Sequence, residues 1–311
     1  MRCERKALDL LKVPDMTKLA AAAVAVVAAV VLTPRADAWT ISQNFDSSAV
    51  GTACGWDAAG GSVVSADQSY TLKNSCKLTI TSRATGFGMW GGVIAHPTPV
   101  KQGGQLWMRV HTFMPTGFDY DSTGEGNHLK FLRYHTATTA GANGGYDDIY
   151  INPSGNANPF QFIYEGEQVW DLIGTAAGTL VGNLMGTNKD VIQLGVWETY
   201  EYWVKFDTVS VKNGGQAEVR FWKNGALMAD LTDRITLSNA SLIVDQTNLF
   251  TYWNGGAPAT QSMYVDDLVL TTDTPSAKDA AGNSYIGVGS GANTGTPPPA
   301  VPDPPSSVTV N

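Results

Sequence analysis

Short stretches of alternating apolar and polar residues recur between residue 39 and about residue 270, each bounded by Gly, Asn, Asp or Pro. In QLWMRVHTFM, residues 105–114, Leu106 and Met108 fall on one side and the polar residues on the other. Side chains of a strand alternate between two faces, so this period of two predicts a strand whose apolar face meets a core. A series of such strands separated by turn residues predicts an antiparallel sandwich or barrel.

The opposite faces of several predicted strands carry aromatic and charged side chains together. These residues are Trp107, Arg109 and His111 in the first strand, His128 and Lys130 in the next, and Asp148, Tyr150 and Asn152 in a third. Aromatic planes beside hydrogen-bonding groups suit sugar rings, which predicts a carbohydrate-binding face. The alternative is that the aromatics are partly buried beneath loops of a large sandwich.

The stretch EGNHLKFLRYHT, residues 125–136, breaks its alternation at Leu132 and Arg133. A β-bulge there would turn Arg133 and His135 to the side of His128, and without it Tyr134 would continue the polar face. Two turns are also indicated, at residues 212–215 (KNGG) and 223–225 (KNG), because Asn and Gly tolerate the positive φ that tight hairpins need.

Charge and cysteine usage indicate an exported protein. The net charge is -8 and the 20 basic residues are scattered, which excludes nucleic acid as the partner. An apolar run from Leu19 to Leu32 is too short for a comfortable membrane span, and an A-x-A cleavage pattern ending at Ala38 follows it. We therefore predict a secretory signal with an upstream extension over residues 1–38, the alternative being an uncleaved membrane anchor.

The mature protein is predicted to be extracellular or periplasmic, monomeric, and free of the membrane after cleavage. Cys54 and Cys76 are the cysteines left after cleavage, and they predict a structural disulfide. Residues 39–287 are the predicted carbohydrate-active domain. Residues 288–311, rich in Gly and Pro, cannot form a core and predict a linker or tail.

Several strings resemble the concanavalin A-like lectin and glucanase superfamily, namely GQLWMRVHTFMP, HLKFLRYH, WETYEYWVKFD, FWKNG and YVDDLVL. With the KFLR strand and the segment from Thr274 to Gly287, the pattern looks like that of secreted polysaccharide lyase-like jelly rolls. The resemblance implies an all-β jelly-roll sandwich of two curved antiparallel sheets with a carbohydrate groove. The RTELR and QIH strings of one alginate lyase group are absent, so alginate itself is not implied as the substrate.

The residue types on the polar faces match what a lyase needs to cleave an acidic, uronic-acid-containing polysaccharide. Such an enzyme neutralises the C6 carboxylate, removes the C5 proton and protonates the departing glycosidic oxygen. We assign Arg109 and Lys130 to the carboxylate, His128 or His111 as base, and Tyr150 as proton donor, with no cofactor required. Predicted substrate-binding residues are Trp107, Arg133, Tyr134, His135, Asp148 and Asn152.

Two other functions remain open at this point. A non-catalytic lectin or adhesion module would use the same face. A glycoside hydrolase needs two carboxylates, for which Glu165 and Glu167 are candidates, but the motif ExDxxE is absent. Asp46 and Asp266 could share a structural calcium ion, although hydrogen bonding between strands is the favoured role because calcium wants six or more oxygens.

Overall fold

The computed structural model describes residues 38–55, 62–85, 91–121, 128–152, 160–166, 169–170, 183–185, 192–208, 215–237, 239, 241–250, 253 and 255–289. Its strands are β1 (Thr40–Gln43), β2 (Ser62–Ser65), β3 (Ser75–Ile80), β4 (Gly92–Val100), β5 (Gln105–Phe113), β6 (Leu129–Ala137), β7 (Asn143–Ile151), β8 (Phe160–Gly166), β9 (Val169–Trp170), β10 (Asn183–Met185), β11 (Trp197–Lys205), β12 (Ala217–Lys223), β13 (Ala226–Arg234), β14 (Ile243–Leu249) and β15 (Gln261–Thr271). The predicted signal segment and most of the tail lie outside the described residues. Within the described part, no helix is long and apolar enough to cross a membrane.

The strands form two antiparallel sheets. The first sheet has eight strands in the order β13-β12-β11-β5-β15-β3-β2, with β1 also pairing to β15. The second sheet has seven strands in the order β10-β8-β7-β6-β14-β4, with β9 pairing to β8. The sheets are not closed into a barrel, so the predicted all-β sandwich is confirmed.

The core lies between the two sheets and is built by the predicted apolar faces. Phe131 of the second sheet packs edge-on against Tyr200 of the first, at 5.0 Å between ring centroids. Phe160 also packs edge-on against Tyr200, and its ring is tilted against that of Phe221 at 5.0 Å. Leu106, Met108 and Val110, assigned to the core from their alternation, belong to this buried cluster. Burial of apolar surface on this scale is the main force that holds the two sheets together.

One predicted hairpin turn and the predicted disulfide are present in the structure. Asn224 and Gly225 connect β12 to β13 with φ of 50° and 80°, which confirms the hairpin predicted there. The other predicted hairpin, at residues 212–215, lies largely outside the described residues. Cys54 and Cys76 form the predicted disulfide, and disulfides are typical of oxidising compartments.

A segment near the C-terminus covers the outer face of the first sheet. Trp107, Trp203 and Trp222 form a second, smaller buried cluster there, and Tyr285 and Ile286 pack against it. The Trp222 indole donates a hydrogen bond to Asp279 at 2.8 Å. The tryptophan cluster on the outer face of the first sheet is therefore covered by the chain itself.

Candidate functional site

The predicted catalytic residues do not share one face. Arg109 and His111 lie on β5 in the first sheet, whereas Lys130 and Tyr150 lie on β6 and β7 in the second. All of them point away from the core, so the two groups lie on opposite outer sides of the sandwich. The prediction that one surface unites Arg109 and His111 with His128 is wrong, because alternation does not reveal which sheet a strand joins.

Arg109 and His111 have structural surroundings. Arg109 donates hydrogen bonds to the carbonyl oxygens of Gly287 and Asp267, at 3.1 and 3.3 Å. His111 is fully buried and stacks on the Tyr70 ring at 3.7 Å between centroids. Burial, with the nearby charge of Arg109, lowers the pKa of His111 to about 3. A buried imidazole covered by a stacked ring cannot reach a polymer, so His111 is removed from the candidate site.

Two predicted substrate-binding residues are also placed elsewhere. Trp107 is buried in the outer cluster of the first sheet, where its indole donates to the Ser284 carbonyl at 3.3 Å. Tyr134 points into the core, stacks on Tyr202 and donates its hydroxyl to the Tyr202 carbonyl at 2.9 Å. Neither side chain contributes to a substrate-facing surface.

The bulge in β6 is present and decides the outward residues of that strand. Lys130 pairs with Tyr150, but Leu132 pairs with Ile149, so Phe131 is the extra residue. After the bulge Arg133 and His135 take the outward positions, as the bulged alternative predicted. The irregularity lies one residue earlier than the sequence indicated.

The outer face of β6, β7 and β14 in the second sheet is rich in charge. Arg133 donates through Nε to Asp148 at 2.5 Å, and its guanidinium lies 3.8 Å from the centre of the Tyr146 ring. His135 contacts Asp245 at 2.6 Å. These residues alternate along neighbouring strands, and we call this surface the polar face.

His128, Lys130 and Tyr150 form a compact cluster on the polar face. The ammonium of Lys130 lies 5.6 Å from the centre of the Tyr150 ring, and the His128 ring stacks on it at 5.5 Å. Burial lowers the pKa of His128, an effect that interaction with Asn152 opposes and the charge of Lys130 reinforces. His128 is therefore neutral at pH 7, and its Nδ1 has no hydrogen-bond partner among the described residues. A neutral imidazole nitrogen of this kind can accept a proton.

Asn248 is a member of the polar face that sequence reasoning missed. It pairs with Arg133 across β14 and β6 and is fully buried. The sequence feature that could have revealed it is the alternation in IVDQTNL, which places Gln246 and Asn248 on the same side of β14. A bulge near Asp245 obscures this alternation. Lys130, Tyr150 and Asn152 are also almost fully buried, the first two at 3% exposure. The centre of the polar face is thus largely buried, whereas Gln246 and Asp245 at its edge are partly exposed.

The weaker candidates are placed as follows. Asp46 accepts hydrogen bonds from the amides of Lys73 and Asn74, and Asp266 accepts them from Tyr70 and Thr71. Both carboxylates thus hold the loop before β3. No group of three or more His, Cys, Asp or Glu in the described ranges is placed to hold a metal ion. Glu167, one of the hydrolase candidates, lies outside the described residues.

Comparison with known proteins supports the fold assignment. No family model matches the sequence, and no curated protein matches it. Among solved structures, the chain is similar to the marine PL-14 alginate lyase from Aplysia kurodai, with a TM-score of 0.53 at 12% identity, over 75% of this chain and 97% of that one.

The chain is also similar to alginate lyase Aly36B, with a TM-score of 0.50 at 18% identity, over 74% of this chain and 96% of that one. A variant of that enzyme in complex with alginate trisaccharide gives 0.51 at 17% identity, over 74% and 97%. At such identities the likeness is one of fold. The chain therefore shares the jelly-roll sandwich fold of these structures.

Proposed function

We propose that this protein is a secreted lyase that cleaves an acidic, uronic-acid-containing polysaccharide by β-elimination on the polar face of the second sheet. The observation that carries the proposal is the cluster of His128, Lys130 and Tyr150, in which a cation and an imidazole flank one phenol ring. Arg109 and His111 are left out of the mechanism because they lie on the other sheet.

Each member of the cluster has a distinct chemical role. The ammonium of Lys130 pairs with the C6 carboxylate and so stabilises the negative charge that develops when the C5 proton leaves. Nδ1 of neutral His128 takes that proton. The C5–H electron pair becomes the C4–C5 double bond as the C4–O bond breaks, and the Tyr150 hydroxyl gives its proton to the departing oxygen.

The charge of the polar face supports an acidic polymer as substrate. Arg133 is paired with Asp148, His135 contacts Asp245, and Lys130 lies beside Tyr150, so cationic groups that could meet a carboxylate are present on this surface. The solved structures compared above are of alginate lyases, and one of them holds an alginate trisaccharide. The shared fold supports a uronic-acid polymer and leaves its sugar and linkage to experiment.

The test is a comparison of single variants on a panel of glucuronan, alginate and heparin-type chains. Product is followed by the ultraviolet absorbance of the new double bond conjugated to the carboxylate. We expect His128→Ala, Lys130→Met and Tyr150→Phe each to lower kcat/KM by at least about a hundredfold, since one proton-transfer group contributes that much or more.

Matched controls come from the first sheet. Lys205 lies on β11 with a side chain 45% exposed, and Tyr285 lies on the outer cluster. Lys205→Met and Tyr285→Phe are expected to keep wild-type rates. Rates within twofold of wild type in His128→Ala and Tyr150→Phe would refute the mechanism. Binding of a polymer by the wild type without any product would instead identify a lectin.

A further inference from the structure

Asn248 has an unusual environment on the polar face. It lies in β14 between Arg133 of β6 and Val93 of β4, and its side chain is fully buried. Neither its Nδ2 nor its Oδ1 has a hydrogen-bond partner within the described part of the chain. Gln246, the preceding outward residue on the same strand, is only half-buried.

Buried polar groups in folded proteins nearly always have hydrogen-bond partners, so an amide unmatched at both atoms indicates a ligand. A carboxamide offers a donor and an acceptor side by side. A substrate carboxylate can only accept, and it would leave Oδ1 facing another oxygen. Two adjacent hydroxyl groups supply both a donor and an acceptor, and therefore match both atoms of the amide.

The position of Asn248 relative to Lys130 fits one sugar residue. Lys130 is one outward position along β6 from Arg133, the partner of Asn248, and is therefore a diagonal neighbour of Asn248. Diagonal neighbours in regular adjacent strands are about 7–8 Å apart, and here the extra residue Phe131 of the bulge falls between Lys130 and Arg133. One pyranose ring can place its C6 carboxylate at one end of this span and its C2 and C3 hydroxyls at the other.

We propose that Asn248 recognises the vicinal C2 and C3 hydroxyls of the uronic acid residue whose carboxylate meets Lys130. This inference rests on the proposed function and adds to it a requirement, namely that the sugar carries free hydroxyls at both positions. Asn248 has no ionisable group. It is a specificity-determining residue, and its loss changes substrate affinity more than the chemical step.

The experiment compares each polyuronide with the same polymer acetylated at O2 and O3. Product absorbance gives kcat and KM, and quenching of tryptophan fluorescence gives binding. We expect the wild type to have at least about a tenfold lower kcat/KM on the acetylated form, the loss typical of an unmade buried hydrogen bond. Asn248→Ala is expected to raise KM on the free polymer by about tenfold, with kcat nearly unchanged, and to lose the discrimination.

Two further variants separate recognition from folding. Asn248→Leu keeps the number and branching of the side-chain heavy atoms and removes the unmatched polar atoms, so its melting temperature should equal or exceed that of the wild type while discrimination is lost. Gln246→Ala, on the same strand and face, should keep both KM and discrimination. Discrimination that persists in Asn248→Ala, or equal cleavage of both polymers by the wild type, overturns the inference.

The failure of this inference can be told apart from failure of the lyase proposal. Binding without product that still depends on free hydroxyls and on Asn248 would refute the lyase mechanism and retain the role of Asn248. Binding of neither polymer form by the wild type would overturn both. If product forms equally well from the free and the acetylated polymer, the lyase proposal stands and Asn248 has no role in recognising the hydroxyl groups.

Discussion

Glu201 gives a direct test of how burial of a carboxyl group affects stability. It lies on β11 at 2% exposure and accepts hydrogen bonds from the amides of Ile286 and Gly287, at 2.6 and 3.0 Å. Burial raises the pKa of Glu201 to about 7, although these hydrogen bonds and the charge of Arg109 act against it. The residue thus ties the covering C-terminal segment to the first sheet at the cost of desolvating a carboxylate.

The sign of the pH dependence follows from that raised pKa. The folded protein binds the Glu201 proton more tightly than the unfolded chain, whose pKa is near 4.5. The stabilising contribution is complete below about pH 4.5 and is lost as pH rises through 7. A difference of about 2.5 pKa units, at about 1.4 kcal/mol for each unit, lowers the free energy of unfolding by about 3–4 kcal/mol across this window.

Urea unfolding followed by tryptophan fluorescence at about pH 5 and about pH 8 measures this quantity. With an m-value of about 3 kcal/mol/M, the wild-type midpoint should fall by about 1 M more than that of Glu201→Gln. Burial also raises the pKa of Asp266 to about 7, so the stability of the variant still falls with rising pH. The contribution of Glu201 is therefore the difference in pH dependence between the wild type and Glu201→Gln.

The control is Glu218→Gln, which removes a partly exposed carboxylate paired with Lys205 at 2.8 Å. Its cost should stay below about 1 kcal/mol because exposed ion pairs contribute little. Equal slopes in the wild type and Glu201→Gln would refute the reasoning. A midpoint difference that grows in the opposite direction would show that the hydrogen bonds outweigh desolvation.

Three further predictions concern stability. Replacing Cys54 and Cys76 together by Ser should lower the free energy of unfolding by about 3 kcal/mol, since the disulfide closes a loop over a separation of 22 residues. In urea unfolding, the double variant should have the same midpoint as the wild type with its disulfide reduced. Tyr134→Phe should cost about 1 kcal/mol through loss of one buried hydrogen bond, without changing polymer binding. Arg109→Ala should lower stability by about 1–3 kcal/mol and leave polymer binding intact; weakened binding would return Arg109 to the site.

The apolar alternation predicted which side of each strand meets the core, and this succeeded for β5 and β6. It could not predict which sheet each strand joins, because pairing is set by contacts distant in sequence. β5 pairs with β11 and β15, whereas β6 pairs with β7 and β14. Arg109 and Lys130 therefore looked equivalent in sequence and lie on opposite sides of the sandwich.

The rest of the site depended on local irregularities. The bulge beside Lys130 could be stated only as an alternative, since a period of two has no way to locate an extra residue. The segment that covers Trp107 could not be predicted either. Residues 275–289 have no strand pattern, and they are held by hydrogen bonds from Trp222, Trp107 and Arg109 and by two hydrogen bonds to Glu201.

The aromatic cluster under the C-terminal segment also bears on solubility. Trp107, Trp203 and Trp222 lie side by side, and Tyr285 and Ile286 pack against them. Loss of residues 284–289 by proteolysis would expose three indoles on one flat surface of a sheet, and contiguous apolar patches of this kind promote self-association. The clipped protein is therefore expected to aggregate even where the second sheet is intact. The integrity of the C-terminal segment should be checked before the protein is assayed.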